Sequence, residues 1–244
     1  MGAFLLVGSI AARVHAAPTA AEPATRPAAQ AVHAAEKPRS GWAALPIASY
    51  SPETRLGLGA FATHFYRVGE ESAQTRPSSI SAVGLYTLRN QLITELIPEL
   101  YWDQERWHVW SRLDYRRYPN ALWAIGNQAP DDSKEGYRED RVRWQARADH
   151  EICGPLRVEA FLEAMYMQLA DLESDGLLAH DAVPGARGGR SVGLAPGLLW
   201  DTRDHLLTPT RGALYELSVG AYGSLLGGEY DFGDLQLDLR QYLP

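Results

Sequence analysis

The chain has 244 residues, 45% of them hydrophobic and 22% charged, with a formal net charge of -7 at pH 7. That apolar content excludes disorder throughout, and the negative balance argues against a nucleic-acid partner, because phosphate binding needs a basic surface. The single cysteine, Cys153, excludes an internal disulfide, and no run of about 18 apolar residues offers a membrane-spanning helix.

The N-terminus reads MGAFLLVGSIAARVHAAPTAAEPA. Ala3 to Ala12 form a short apolar run of signal-peptide length, too short to span a bilayer. Val14-His15-Ala16 places small residues where a signal peptidase cuts, although no positive residue precedes Phe4. Residues 1–16 are therefore expected to be an export signal. Residues 17–45 are mostly Ala, Pro, Thr and Glu. Few large apolar side chains are present to offset ordering entropy, so this stretch is expected to be a disordered periplasmic linker.

From Arg55 onward the dominant period is two, the signal of strands. About nine are predicted: 55–66, 80–88, 91–102, 106–118, 138–151, 155–170, 190–203, 211–223 and 229–243. The alternation is plainest in 141–151. Arg141, Arg143, Gln145, Arg147, Asp149 and Glu151 fall on one face; Val142, Trp144, Ala146 and Ala148 fall on the other. Residues 107–116 divide the same way, with Trp107, Val109, Leu113 and Tyr115 opposed to His108, Arg112, Asp114 and Arg116. The segment 156–170 alternates too, though its Glu, Ala, Leu and Met would also suit a helix. Turn residues separate the strands at Arg89-Asn90, Asp103-Gln104-Glu105, Gly154-Pro155 and Leu226-Gly227-Gly228. Pro98 and Pro196 lie inside predicted strands, where the missing N–H donor is expected to distort the ladder.

Long amphipathic strands in series, with charge confined to one face, predict an all-β fold: a transmembrane, antiparallel, up-and-down β-barrel over residues 46–244. The polar face would line a lumen and the apolar face would meet lipid. Seven Trp and 12 Tyr suit the two membrane interfaces. The rival readings are a soluble β-sandwich or lipocalin-like binder, which also alternates, and an outer-membrane hydrolase. Against the hydrolase, no Ser, His and acid fall on one predicted face. Asp149-His150 are neighbours on a strand and point to opposite faces. The triplet Asp231-Phe232-Gly233 and the glycine-rich 185–193 lack the motifs that would make them nucleotide sites. No metal or cofactor is expected.

The segment GLLWDTRDHLLTPTRGALYELSVGAY, residues 197–222, together with YSPETRLGLGA, AIGNQAP and DLRQYLP, resembles the bacterial surface antigen family. That is the barrel domain of BamA- and TamA-like outer-membrane assembly factors. The residues carrying the resemblance are Gly126, Asn127, Asp201, Thr202, Arg203, Asp204, Pro209 and Gly212. It implies an outer-membrane location, a structural or transport and assembly role without catalysis, lipid as the surrounding partner, and other outer-membrane proteins as clients. Full members also carry an Arg-Gly-aromatic loop element downstream of the last matching strand, so a C-terminally incomplete chain is the expectation. The lumen-facing cluster is expected to comprise Arg141, Arg143, Arg147, Asp149, Glu159, Asp201, Arg203, Glu216, Asp238 and Arg240. Asp201 and Arg203 should pair with each other or with a neighbour such as Glu216.

One outcome follows from the N-terminal reading. N-terminal sequencing of the protein isolated from its native host should begin near Ala17; a chain still carrying Met1 in the cytosol would overturn the export signal.

Overall fold

The computed structural model describes residues 40–52, 54–68, 75–123, 134–180, 185–205 and 208–243. The expected signal peptide, most of the linker, and Gly126 and Asn127 lie outside the described residues.

Ten strands form one antiparallel sheet in sequence order. They are β1 (Ser40–Ser51), β2 (Arg55–Tyr66), β3 (Ser78–Thr87), β4 (Leu92–Trp102), β5 (Trp107–Trp123), β6 (Lys134–Cys153), β7 (Leu156–Ala170), β8 (Gly189–Asp201), β9 (Gly212–Tyr222) and β10 (Phe232–Tyr242). Each strand pairs with its sequence neighbours, the up-and-down order read from the sequence. Among the described residues no ladder joins β10 to β1. A single 3-10 turn, Ser224–Leu226, is the helical content among the described residues.

The turn residues sit where the chain reverses. Asn90, Asp103, Gln104 and Glu105 adopt left-handed φ, as do Gly154 and Gly227. Short polar side chains and glycine tolerate that conformation best. The segment 156–170 is strand throughout, paired with β6 and β8 on its two sides. Cross-strand partners decide here over helix propensity.

Three expectations need correction. The strands number ten, because Ser40–Ser51 pairs with β2 along its whole length. Residues 40–45 therefore belong to the sheet and not to the linker. The sequence SGWAALPIASYS hides this strand because neither face is charged and Pro46 interrupts it. Proline is accommodated because β1 is an edge strand among the described residues. The third difference is length: β5 runs on to Trp123 and β6 starts at Lys134, with Pro119 opposite Arg138 inside the ladder.

The interior prolines act locally. The β4–β5 ladder skips Ile97 and Pro98, and the β8–β9 ladder skips Ala195 and Pro196. In each case the register is the same on either side of the gap: Leu96 faces Leu113 and Glu99 faces Trp110; Leu194 faces Ala221 and Gly197 faces Ser218.

Because paired residues share a face, the register carries one parity across the sheet. Ala44, Ala62, Ala82, Leu96, Leu113, Trp144, Ala164 and Val192 form one row. Another runs through Trp102, Trp107, His150, Val158, Leu198, Leu217 and Leu237. This apolar face is open: Leu113 is 47% exposed, Leu198 52% and Leu237 61%. The buried hydrophobic residues are few and small, namely Leu178, Ala186, Ala195, Ala213 and Leu214. What is buried instead is polar, including Asp114, Asp149 and Glu159.

Candidate functional site

The opposite face carries the charge. Asp114 of β5 stands across from Arg143 of β6, and His108 from Asp149. Asp149 faces Glu159 of β7, Glu159 faces Gly197 of β8, and Gly197 faces Ser218 of β9. Glu216 faces Asp238 of β10, and Arg240 lies two residues further along. Arg141, Arg143, Arg147, Asp149, Glu159, Asp201, Glu216, Asp238 and Arg240 thus occupy one face, with Arg203 just past the end of β8.

These side chains divide into several ion-paired groups. In the first, the Asp114 carboxylate accepts from Arg141 Nη2 at 3.0 Å and Arg143 Nε at 2.9 Å. Asp114 is 4% exposed at its side chain, so the two guanidiniums replace the water it has lost.

The second group centres on Arg147, which pairs with Glu159 and reaches Glu216 at 3.3 Å. That reach crosses from β6 to β9. It is open because β8 presents Ala195 and Gly197 on this face, while the space over Gly193 is filled by the Tyr222 ring. A Cβ at Gly197 would lie 2.6 Å from the Glu159 carboxylate.

The third group links four strands. His108 Nδ1 lies 2.8 Å from Asp149 and its Nε2 lies 3.0 Å from Glu99. Tyr101 stacks on the imidazole at 4.5 Å and donates to Glu99 at 2.5 Å. Arg157 Nε donates to Asp149 at 2.5 Å, and its Nη2 caps the carbonyls of Glu105 and Arg106. Both ring nitrogens of His108 face carboxylate oxygens, so both bonds are donated only by the doubly protonated ring. Its partners are carboxylates and not a serine or cysteine, so this is charge-pair geometry and not a nucleophile–base pair. His150 stays on the apolar face, stacked on Trp107 at 4.1 Å.

Asp201 and Arg203 pair with each other, through Nε at 3.0 Å and Nη2 at 2.8 Å. Glu216, the neighbour expected for Arg203, is engaged by Arg147. The rest of the motif builds the hairpin. Thr202 accepts from the Ala213 amide through its hydroxyl at 2.9 Å, while its own amide donates to the Ala213 carbonyl at 2.8 Å. Asp204 accepts from the amides of Thr210 and Arg211 and from the Thr210 hydroxyl, with Pro209 within the loop that it closes. Gly212 has a φ of 103°, and a Cβ there would lie 2.2 Å from the Thr202 carbonyl oxygen.

Asp114, Glu99, His108, Tyr101 and Arg157 were absent from the expected cluster. The alternation of 107–116 already placed Asp114 and His108 on this face; nothing in the pattern showed that Asp114 would be shared by two arginines. Among the described residues, no group of three or more His, Cys, Asp or Glu is arranged to hold a metal ion.

No family model matches the sequence, and no curated protein does. Among solved structures, the chain is similar to BamA from Haemophilus ducreyi lacking POTRA domains 1–3. The identity is 12% and the TM-score 0.49, with 85% of this chain and 38% of that one covered. The chain therefore spans well under half the length of that structure.

Two outcomes test this geometry. Asp114→Ala leaves Arg141 and Arg143 side by side without their shared carboxylate, and should cost about 3 kcal/mol in a urea titration. Arg240→Ala, whose pair with Asp238 is open to solvent, should scarcely move the midpoint. Equal effects would show that the buried pairs do not hold the sheet.

The Asp204 carboxyl lies in the loop and is pulled from the usual 3.8 down to about 2, chiefly by the Thr210 hydroxyl and then by the loop amides. A depressed folded pKa contributes stability above the unfolded value and loses it as pH falls. The loop should therefore hold at pH 5 and loosen between about pH 4 and 2, which a carboxyl NMR titration of Asp204 would follow.

Proposed function

We propose that this chain is an outer-membrane β-barrel protein of the bacterial envelope, with lipid against its apolar face and water against its charged face. The observation that carries the reading is the inversion of polarity: carboxylates are buried, with their arginine partners half-buried, while leucines and tryptophans lie open. A soluble sheet covers its apolar face with a second layer. Among the described residues nothing covers this one, and an apolar surface of this extent is unstable in water. In lipid it is the solvated face.

The apolar face also has ends. Trp102, Trp107 and His150 stack in series along one end, with Trp200 and Tyr215 paired nearby. Tyr115, Val142 and Tyr166 form a row toward the other end. Beyond that row the same face turns polar, with Arg117 and Arg138 both paired to Asp140. Trp107 and Tyr115 are eight residues apart on β5, about 27 Å at about 3.4 Å per residue. With a tilt of about 40° that spans about 21 Å, near the height of the apolar band of outer-membrane barrels. Trp and Tyr favour both interfaces because each ring is apolar with a polar tip. No helix among the described residues is long and apolar enough to cross a membrane, so in this reading the strands do the crossing.

Within that class we read the chain as BamA/TamA-like, of the surface antigen type, in a structural or transport and assembly role and without catalysis. The Asp201-to-Gly212 segment and the ion-paired charged face support this reading. The charged face would line the lumen, and clients would be other outer-membrane proteins. Loss of the protein should lower the levels of other outer-membrane proteins if it assembles them, and leave them unchanged if its role is structural.

The lipid-facing assignment has its own test. Leu113→Arg places a charge at mid-height of the apolar band and should cost about 2–4 kcal/mol when the protein is folded into vesicles. Arg143→Gln, on the other face, should cost less, and wild type should fractionate with outer membranes unless detergent is added. Equal tolerance at the two positions, or solubility without detergent, would overturn the reading.

A further inference from the structure

On the charged face, β5 and β6 set Arg116 directly opposite Arg141, with Arg143 beside it and Tyr118 and Glu139 as the next pair outward. Like charges in facing positions of an antiparallel pair repel. The carboxylates between these arginines are Asp114 and Glu139; Glu95, across from Asp114 on β4, lies 3.7 Å from Arg112. Asp114 is taken by Arg141 and Arg143. Glu139 lies 3.5 Å from Arg141 Nη1 and accepts no hydrogen bond at its buried Oε1. Arg116 forms no ion pair among the described residues; its guanidinium lies over the Tyr118 ring, 5.7 Å from the centroid. The Nε donors of Arg116 and Arg141 are both buried and both lack an acceptor.

Three guanidiniums thus stand beside two carboxylates, of which Arg116 pairs with neither, and two buried N–H donors on facing residues are unmet. A buried donor without an acceptor is costly, and native structures satisfy such groups with protein, water or a ligand. We infer that Arg116 and Arg141 form a binding site for a soluble phosphate-class oxyanion on the charged face. Such an anion offers several acceptor oxygens to guanidinium donors and cancels the excess positive charge. The site lies on the face opposite the apolar one, so the headgroups of surrounding lipid do not reach it, and the ligand is a solute of the aqueous side.

The anion site rests on the register of the sheet; only the exclusion of lipid headgroups rests on the membrane reading. The test is a urea titration of the full chain, folded in detergent, with inorganic phosphate against chloride at matched ionic strength. If the chain proves soluble without detergent, which would count against the membrane reading alone, the same titration is run in buffer. Phosphate at ten times its dissociation constant should shift the unfolding equilibrium constant about elevenfold. Arg116→Gln should fold, should match or exceed wild type in stability without phosphate, and should lose the phosphate response. Arg190→Gln, at the exposed pair with Glu229, should keep it. No phosphate-specific shift in wild type, an undiminished response in Arg116→Gln, or failure of Arg116→Gln to fold would each overturn the site. The last would show that Arg116 serves the fold.

Discussion

Register is the constraint on which this protein depends. With a side-chain period of two, the ladder assigns every residue from β1 to β10 to one of two faces, and a slip by one residue would exchange them. Leu113 would then lie among arginines, and Asp114 would lie among Leu96, Trp144 and Ala164. The backbone ladder alone does not choose between those arrangements, since it satisfies amides and carbonyls equally well in either. The choice falls to the side chains, and the charged face makes it specific. Arg143 can share Asp114 with Arg141 only in the register observed, and Asp149 can meet His108 and Arg157 only when β5, β6 and β7 are aligned as they are.

The two faces contribute by different physics. Contacts on the apolar face are non-directional, so they tolerate exchange among Leu, Val and Ala and say little about alignment. Those on the charged face are directional and partly desolvated. Removing one member strands the other, while the intact pair only roughly offsets its own desolvation. Their value to this sheet is therefore specificity more than net stability. The small residues of β8 extend that principle. Ala195 and Gly197 contribute little packing of their own, but they leave the passage through which Arg147 ties β6 to β9 across the two strands between them.

Most of the fold was legible in the sequence because alternation and turn chemistry are local. β6 shows charge at every second position, its parity carries to β7 once the turn at 154–155 is placed, and β5 shows the same alternation of its own, carried to β4 through the turn at 103–106. β1 was not legible for the same reason in reverse: Trp42, Ala44 and Ala48 alternate with Ala43, Leu45 and Ile47, so no contrast marks its faces. In the charged cluster, face membership followed from parity, but partner choice did not. Glu216 could be placed on the face of Arg203, yet its engagement by Arg147 depends on side-chain reach past the small Ala195 and Gly197 of β8. Sharing of Asp114 and bracketing of His108 by Glu99 and Asp149 depend likewise on side-chain reach across strands.

The Asp-Thr-Arg-Asp segment shows how far motif chemistry reaches. Each of its residues has a local task. Asp201 holds Arg203, Thr202 exchanges hydrogen bonds with Ala213, and Asp204 gathers the Thr210 and Arg211 amides. Gly212 allows the chain to turn back past Thr202, with a left-handed φ and a backbone approach that leaves no room for a Cβ. All of this closes one hairpin between β8 and β9, and none of it requires a ligand, a client or an inserted loop. A likeness carried by such residues therefore speaks first to how the chain reverses. The arginine excess at Arg116 and Arg141 is of another kind, because it leaves donors unmet and gives the hairpin nothing. Local rules are satisfied throughout the turn and are not at that pair, where the ladder sets like charges face to face.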